Sequence, residues 1–350
     1  MLEKPDLKDK LIISRLQDEY GLHISRLTFL PLGADVNSAV YRAVTNDETM
    51  YFLKLRKGDF DEITVAVPIF LKSQGIQSVI APLETRARQG WASLDAYKMI
   101  LYPFIEGING YEVDLSDRQW VDFGAALKDI HTAQLPPALK QLIPQETWSP
   151  KWREMVKTFQ AQVEEISFDD PTAAKLAAFM QSRRGEICRL VDRSERFARA
   201  LRSQSLELVL CHSDLHPGNL LIGANNVVEC SSDEHSSHPL CGFYIVDWDN
   251  PTLAPKERDL MFMGGSPIWN SPRAEALFYQ GYGQVEIDPM ALAYYRIERI
   301  IQDIAAFCEQ LLMTTEGGKD REQSFQYFTS QFLPNCEVEI AFKTDPFLPK

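Results

Sequence analysis

The sequence contains no uncharged apolar stretch close to the ~18 residues that a membrane-spanning helix requires. Its first ten residues, MLEKPDLKDK, lack the apolar core of a secretory signal peptide. Cysteine is scarce, with 6 among 350 residues, which excludes a small scaffold held together by disulfides. These absences predict a reduced, cytoplasmic protein that has no membrane partner.

Positive charge is in deficit, because 36 lysine and arginine residues face 49 aspartate and glutamate residues, for a net charge of -13 at pH 7. A surface of that sign repels nucleic-acid phosphates and anionic lipids, so we expect no nucleic-acid partner. It suits a cationic small molecule, although many cytoplasmic enzymes are acidic for solubility alone. With 45% hydrophobic and 24% charged residues, the chain has the composition of a globular protein rather than a disordered one.

The apolar periodicity changes part-way along the chain, at 104–110. Before this point it predicts strands over 25–32, 36–45, 50–56, 79–84 and 96–103. It also predicts a first helix that Pro5-Asp6 opens and Gly21 caps, and a second helix over 61–73. After it, we predict short strands over 206–211, 220–223 and 243–246, and helices over 116–130, 152–163, 172–202 and 290–313, the first capped by Ser116. The sequence therefore predicts an α+β protein with an N-terminal lobe of residues 1–105 and a helical C-terminal lobe of residues 106–350.

Three polar residues stand at a spacing that suits phosphoryl transfer from ATP. Asp214 is followed five residues later by Asn219, and Asp247 comes after a predicted hydrophobic strand. Such a transfer depends mainly on positioning and charge neutralisation, with one carboxylate to orient the acceptor hydroxyl and take its proton. An amide oxygen and a second carboxylate are suitable ligands for Mg²⁺. The spacing therefore favours a kinase site over isolated turn or cap residues.

The octapeptide HSDLHPGN at 212–219 matches the catalytic-loop pattern H-R-D-x-x-x-x-N of kinases, with Ser213 in place of the arginine. On this motif the chain resembles the aminoglycoside phosphotransferase and choline kinase superfamily of protein-kinase-like enzymes. The resemblance implies a two-lobed fold, with a small antiparallel β-sheet lobe followed by a larger, mainly α-helical lobe. Supporting motifs are YFLKL at 51–55, YPFI at 102–105, SPKWRE at 149–154 and APKERDL at 254–260.

The resemblance implies roles for residues of the C-terminal lobe. Asp214 would be the catalytic base, and Asn219 and Asp247 would hold Mg²⁺ against the phosphates of ATP. Asp259 resembles a helical aspartate that holds the catalytic-loop backbone by hydrogen bonds, which is a structural role. Ser213 cannot couple the loop to a phosphorylated activation segment, as the kinase arginine does. Only eleven residues separate Asp247 from Asp259, too few for a peptide platform, which favours a small-molecule kinase.

The resemblance also implies contacts from the N-terminal lobe to ATP. Lys54, on the third predicted strand, would contact the α- and β-phosphates, and Glu62 on the next helix is its expected partner. The alternatives are a lysine that reaches solvent and a solvated Glu62, with Asp59 and Asp61 as rival partners. Residues 33–38, beginning with Gly33, would form the loop over the phosphates.

The hinge between the lobes would lie at 102–107 and bind adenine through its backbone. By the resemblance, the carbonyl of Pro103 and the N–H of Ile105 make the two contacts. A proline can make the carbonyl contact to adenine, because it retains its backbone carbonyl and lacks only the N–H.

Two features depart from the family pattern. Trp248-Asp249 replaces the Phe-Gly of the kinase D-F-G motif, so Asp249 is either a further metal ligand or a turn residue. A polar insertion at about 224–242 carries Cys230, His235, His238 and Cys241, whose spacing matches no common zinc site. A solvated loop is the preferred interpretation of that insertion.

The expected activity is ATP- and Mg²⁺-dependent phosphorylation of a hydroxyl on a cationic small molecule. The resemblance favours an aminocyclitol or aminoglycoside antibiotic, with spectinomycin as the leading acceptor. Glu298 and Asp303 on the last long predicted helix are candidate acceptor contacts, unless they pair with Arg296 and Arg299. The alternatives are a kinase of choline, a sugar or an amino alcohol, and a nucleotide-binding regulator without turnover. The presence of Asp214, Asn219, Asp247 and Lys54 together argues against a regulator, which needs no catalytic base.

Overall fold

The chain divides into two units in the computed structural model, which describes residues 4–32, 37–223, 242–315 and 317–347. Gly33 and the four zinc-ligand candidates of the insertion, Cys230, His235, His238 and Cys241, lie outside the described residues. The lobe boundary between residues 105 and 106 stays a prediction. The first unit comprises described residues within 1–143, 214–251 and 277–283, and the second unit those within 144–213, 252–276 and 284–350.

Most strands come early in the chain and most helices late. The strands are β1 (Ile24–Leu30), β2 (Ser38–Thr45), β3 (Met50–Lys57), β4 (Ala92–Leu94), β5 (Tyr97–Pro103), β6 (Gly107–Asn109), β7 (Val209–Cys211), β8 (Leu220–Gly223), β9 (Phe243–Ile245) and β10 (Thr252–Ala254). The helices are α1 (Asp9–Tyr20), α2 (Ile63–Ser73), α3 (Asp117–Thr132), α4 (Pro137–Leu142), α5 (Lys151–Glu165), α6 (Pro171–Ser182), α7 (Arg184–Leu201), α8 (Glu257–Leu260), α9 (Pro272–Tyr282), α10 (Pro289–Leu312), α11 (Gly318–Ser330) and α12 (Glu337–Lys343).

A five-stranded antiparallel sheet, in the order β1-β2-β3-β5-β4, forms the body of the first unit. One face packs against α1, where Ile12 and Leu16 join Leu53 and Leu55 of β3 in a fully buried cluster. Because successive side chains of a strand point to opposite faces, Lys54 leaves β3 on the other side of the sheet. The predicted N-terminal antiparallel sheet is confirmed.

The predicted strand over 79–84 is wrong. Val79 forms only an isolated bridge with Ile245, and the N–H of Leu83 donates one hydrogen bond, to the carbonyl of Leu101. Pro82 between them has no N–H for a strand ladder, which limits this segment to single bonds. The fifth strand of the sheet is β4 instead, in a hairpin with β5.

A second antiparallel sheet of the first unit, in the order β6-β8-β9, holds the segment after Asp214 in place. The N–H of Gly110 donates to the carbonyls of Pro217 and Leu220, at 3.0 and 2.9 Å. A Cβ on Gly110 would lie 2.7 Å from the Pro217 carbonyl oxygen, so only glycine permits this approach.

The predicted Ser116 cap of α3 is confirmed, as part of a capping box with Gln119.

The second unit is helical and is organised around α10, which packs against α5, α6, α7, α8, α11 and α12. The single helix predicted over 172–202 is interrupted at Arg183, whose φ of -101° and ψ of 9° end α6 before α7 begins. In the same unit β7 pairs with β10, with Cys211 opposite Thr252.

Among the described residues, no helix is both long enough and apolar enough to cross a membrane.

Candidate active site

The backbone that leads into Asp214 is held by a buried carboxylate of the second unit. Asp259 accepts hydrogen bonds from the N–H groups of His212 and Ser213, at 2.8 and 2.7 Å. It is only 1% exposed, and charged acceptors make the stronger class of hydrogen bond. Ser213 has a φ of 73°, a left-handed conformation that a non-glycine residue adopts at a cost. The bonds from Asp259 stabilise this conformation of the residue that directly precedes Asp214.

The turn after Asp214 orients Asn219. The side-chain amide of Asn219 donates to the backbone carbonyl of Asp214 at 2.8 Å, and its own N–H donates to the carbonyl of His216 at 2.9 Å. Asn219 is buried. Because its amide nitrogen is the donor in this bond, the amide oxygen remains as the atom that a cation would bind.

Asp247 lies two residues after the end of β9, in the second sheet of the first unit. The N–H of Val246 donates to the carbonyl of Asn219 at 3.0 Å, which ties the approach to Asp247 to the turn after Asp214. Asp247 has a φ of 65°. The next residue, Trp248, is buried, and its indole N–H donates to the carbonyl of Ile245 at 3.2 Å. The buried indole therefore anchors the sharp turn on which Asp247 and Asp249 stand.

Two cations of β3 meet two carboxylates at this turn. The Lys54 ammonium lies 2.8 Å from Asp247 Oδ1 and 3.0 and 2.9 Å from the two carboxylate oxygens of Asp249. Arg56 lies 2.5 Å from Asp249 Oδ2. The Asp247 side chain is 46% exposed, whereas that of Lys54 is 12% exposed. Asp247 is therefore the carboxylate of this group that is most open to a ligand.

The charges of this group depend on one another. Burial alone would lower the pKa of Lys54, but the carboxylates of Asp247 and Asp249 outweigh it and hold that pKa above its usual value. Burial and the charge of Asp247 raise the pKa of Asp249, and the two cations oppose that shift. Lys54 is thus held as a cation beside Asp247 and Asp249.

The comparison with protein families decides what this arrangement belongs to. A model of the phosphotransferase enzyme family matches residues 28–231. The chain belongs to that family. A crystal structure of spectinomycin phosphotransferase in complex with ADP and spectinomycin is 38% identical to this phosphotransferase, with a TM-score of 0.85. The match covers 97% of this chain and 99% of that one, which confirms the resemblance to the aminoglycoside phosphotransferase and choline kinase superfamily.

More distant structures share the fold. The amicoumacin kinase hAmiN in complex with AMP-PNP, Ca²⁺ and Ami is 16% identical over 98% of this chain and 96% of that one, with a TM-score of 0.57. Choline kinase LicA from Streptococcus pneumoniae is 13% identical over 96% of each chain, with a TM-score of 0.54. A search of curated proteins finds no match. The predicted α+β, kinase-like fold is confirmed, and the protein is a small-molecule phosphotransferase.

The donor atoms of the phosphotransferase site fit a hard divalent cation. The carboxylates of Asp247 and Asp249, together with the amide oxygen of Asn219, offer oxygen ligands, which Mg²⁺ prefers. The carboxylates already attract the Lys54 ammonium, which shows that this turn stabilises positive charge. The roles predicted for Asp214, Asn219 and Asp247 remain predictions, and the structure places all three within the first unit.

The residues predicted to contact the nucleotide lie in different settings. Lys54 is held by Asp247 and Asp249, whereas Glu62 is exposed just before α2, so their pairing stays a prediction. Pro103 ends β5 and is exposed, and Ile105 is half-buried before β6. The N–H of Phe104, between them, donates to the carbonyl of Met50 at 3.2 Å and fixes the hinge segment to β3. The adenine contacts of Pro103 and Ile105 stay predictions.

The two candidate acceptor residues on α10 already have partners. Glu298 is buried, and its Oε2 lies 2.7 Å from Arg153 Nη1, so it pairs with the arginine of the SPKWRE motif. Asp303 pairs with Arg299 one turn away, at 3.1 Å, as the alternative interpretation expected. Arg296 donates to backbone carbonyls of Met261 and Met263. Roles for Glu298 and Asp303 toward an acceptor stay predictions.

Sequence reasoning missed an aromatic contact beside Asp214. The rings of Tyr111 and His216 stack with centroids 5.8 Å apart, and His216 Nε2 lies 3.8 Å from Asp214 Oδ1. His216 Nδ1 accepts from the N–H of Gly218 at 3.0 Å, so the proton of a neutral ring lies on Nε2, toward Asp214. A Cβ on Gly218 would meet both rings at 2.8 Å. In the sequence, the pair Pro217-Gly218 was the signal that a backbone and the two rings pack closely here.

Proposed function

We propose that this phosphotransferase transfers the γ-phosphate of ATP, with Mg²⁺, to a hydroxyl of an aminocyclitol antibiotic, and that spectinomycin is the acceptor. The biological consequence would be antibiotic resistance, exerted in the cytoplasm where ATP is present. The observation that carries the proposal is the placement of Asp214, Asn219 and Asp247 in one unit with the Lys54 ammonium at 2.8 Å from Asp247. The similarity to spectinomycin phosphotransferase, at 38% identity over nearly the whole chain, supports the acceptor.

In the proposed reaction, the oxygen of the acceptor hydroxyl attacks the γ-phosphorus, and Asp214 accepts the proton of that hydroxyl. The bond from that phosphorus to the β–γ bridging oxygen breaks, and ADP leaves with the electron pair. Asn219 and Asp247 would hold Mg²⁺, which neutralises charge on the phosphates when it is bound. Lys54 contacts the α- and β-phosphates and adds positive charge beside them. His216 Nε2 lies 3.8 Å from Asp214 Oδ1 and is a polar neighbour of the proposed base.

The chemistry of the acceptor fits the charge of the chain. Spectinomycin carries amines that are protonated near neutral pH, and the net charge of -13 favours the approach of a cation. Its ring system is rigid, so binding costs little conformational entropy and its hydroxyl is held efficiently near the phosphate.

The test is a coupled ADP-release assay with spectinomycin, kanamycin, streptomycin and choline in parallel, with mass spectrometry of the products. We expect spectinomycin-dependent ADP release and a phosphorylated product, and much weaker activity on the larger aminoglycosides. Preference for choline, a neutral sugar or an amino alcohol would overturn the acceptor and leave the phosphotransferase in place. Binding of ATP without transfer to any acceptor would instead indicate a regulator.

A further inference from the structure

Asp249 lies between two cations that leave the same face of β3. Leu53 and Leu55 are fully buried on the core side of the sheet, so the alternation along the strand places Lys54 and Arg56 together on the other side. The side chain of Asp249 is 20% exposed and contacts both of them. The sequence gives a signal for this arrangement, because Lys54 and Arg56 are two residues apart on a strand.

The ammonium of Lys54 is fully engaged by carboxylates. An ammonium group has three N–H donors, and Lys54 has three carboxylate oxygens within 3.0 Å, one from Asp247 and two from Asp249. A phosphate oxygen that binds Lys54 must therefore replace at least one of these contacts. Asp249 supplies two of the three, so its contacts set most of the cost of that exchange.

Arg56 offers Asp249 another partner. Its guanidinium lies 2.5 Å from Asp249 Oδ2. When Lys54 turns toward a phosphate, Asp249 keeps this partner. Without it, a largely buried carboxylate would lose its neighbouring cations, and desolvation makes such a state costly. Lys54 would then remain with Asp249.

We propose that Arg56 is a positioning residue that releases Lys54 for the nucleotide by balancing the charge of Asp249. The proposal rests on the proposed function, in which Lys54 contacts the phosphates. Arg56 acts through Asp249 and does not itself contact the nucleotide. Its effect on nucleotide affinity therefore exists only while Asp249 carries a carboxylate.

The test is a double-mutant cycle read by nucleotide binding, with no metal present to occupy the carboxylates. Isothermal titration calorimetry with ADP in EDTA is carried out on the full-length wild type, R56Q, D249N and the double variant. We expect R56Q to weaken ADP binding about tenfold in the wild-type background, the order of one charged contact. In the D249N background the same change should alter the affinity less than twofold, because the carboxylate that Arg56 balances is gone.

Two further variants separate this role from others. R56K keeps the charge and should recover most of the lost affinity. R26Q is the matched control, since Arg26 lies on β1 of the same sheet and pairs with the exposed Glu48 at 3.9 Å; it should bind ADP as the wild type does.

The outcomes are distinguishable. An equal loss on R56Q in both backgrounds would show direct or long-range attraction of the phosphates by Arg56 and would overturn the proposal. Unchanged binding by R56Q would overturn it as well. If R56Q does not fold, the same cycle is carried out with R56M, whose side chain keeps much of the length of arginine without its charge and should show the same loss only where Asp249 is present. Failure of the wild type to bind ADP would refute the proposed function rather than the role of Arg56.

Discussion

Replacing Asp259 by asparagine tests how the fold positions Asp214. The carboxylate is 1% exposed and accepts two backbone hydrogen bonds, from His212 and Ser213. Asparagine has nearly the same shape but only one acceptor oxygen, so its NH₂ group would face a backbone N–H. A hydrogen bond to a charged group contributes about 1.5–3 kcal/mol, and the freed N–H of a buried loop adds a desolvation cost. The left-handed conformation of Ser213 also loses one of its restraints.

We expect D259N to lower the free energy of unfolding by about 2–4 kcal/mol. With an unfolding entropy of about 2.1 cal/mol/K per residue over 350 residues, this corresponds to a fall of roughly 3–5 °C in Tm. Because Asp214 directly follows Ser213, we also expect kcat to fall about tenfold to a hundredfold, the cost of a small misplacement of a reacting group. The KM for ATP should change little, since Lys54 and Asp247 do not depend on these bonds. Differential scanning fluorimetry and steady-state kinetics provide the two measurements.

The matched control is D288N. Asp288 likewise accepts two backbone N–H groups, those of Met290 and Ala291 at 2.8 Å, but it does so as the N-cap of α10. Asparagine is an equally good N-cap, so this variant should keep both Tm and kcat near the wild type. A D259N enzyme with wild-type Tm and kcat, or equal losses in D288N, would refute the reasoning about the catalytic loop.

Three other variations test the proposed roles in turn. Asp214→Ala should lower kcat by ~10²–10⁴-fold and leave ATP binding nearly intact, because the base contacts the acceptor; wild-type turnover would remove Asp214 from the mechanism. Asp247→Ala should raise the Mg²⁺ concentration needed for half-maximal activity, and an unchanged Mg²⁺ titration would contradict its role as a ligand. The acceptor KM should rise with ionic strength, since salt screens the attraction of a cation to an acidic protein; a KM independent of salt would show that net charge does not assist binding.

The parts of the structure that depend on local pattern could be predicted from the sequence. Alternating apolar residues located β1, β2, β3 and β5, and the Ser116 cap marked the start of α3 correctly. The segment at 79–84 has the apolar residues of a strand, but Pro82 prevents a ladder. Whether this segment forms a strand depends on which neighbouring carbonyl accepts each backbone N–H. The periodicity of apolar residues does not encode that pairing.

Pairings between distant parts of the chain were harder to predict. Local proximity suggested Glu62 as the partner of Lys54, a pairing that stays a prediction. The carboxylates that contact Lys54 in the structure belong to Asp247 and Asp249, which lie 193 and 195 positions later. The partner of Glu298, Arg153, is 145 positions away, and both side chains are buried. A single sequence gives the residue types that need a partner when buried, but tertiary packing decides which partner they obtain.

Two candidate loops contain non-glycine residues in the left-handed backbone conformation, and each is fixed by a buried neighbour. Ser213, which precedes the proposed base, and Asp247, a proposed metal ligand, both have left-handed φ angles, 73° and 65°. Such conformations persist only where the surroundings fix them. Here the fixing groups are the buried carboxylate of Asp259 and the buried indole of Trp248, neither of which is assigned to the chemistry. The stabilising groups are therefore neighbours of the candidate residues, while Asp247 itself, 46% exposed, remains open to a ligand.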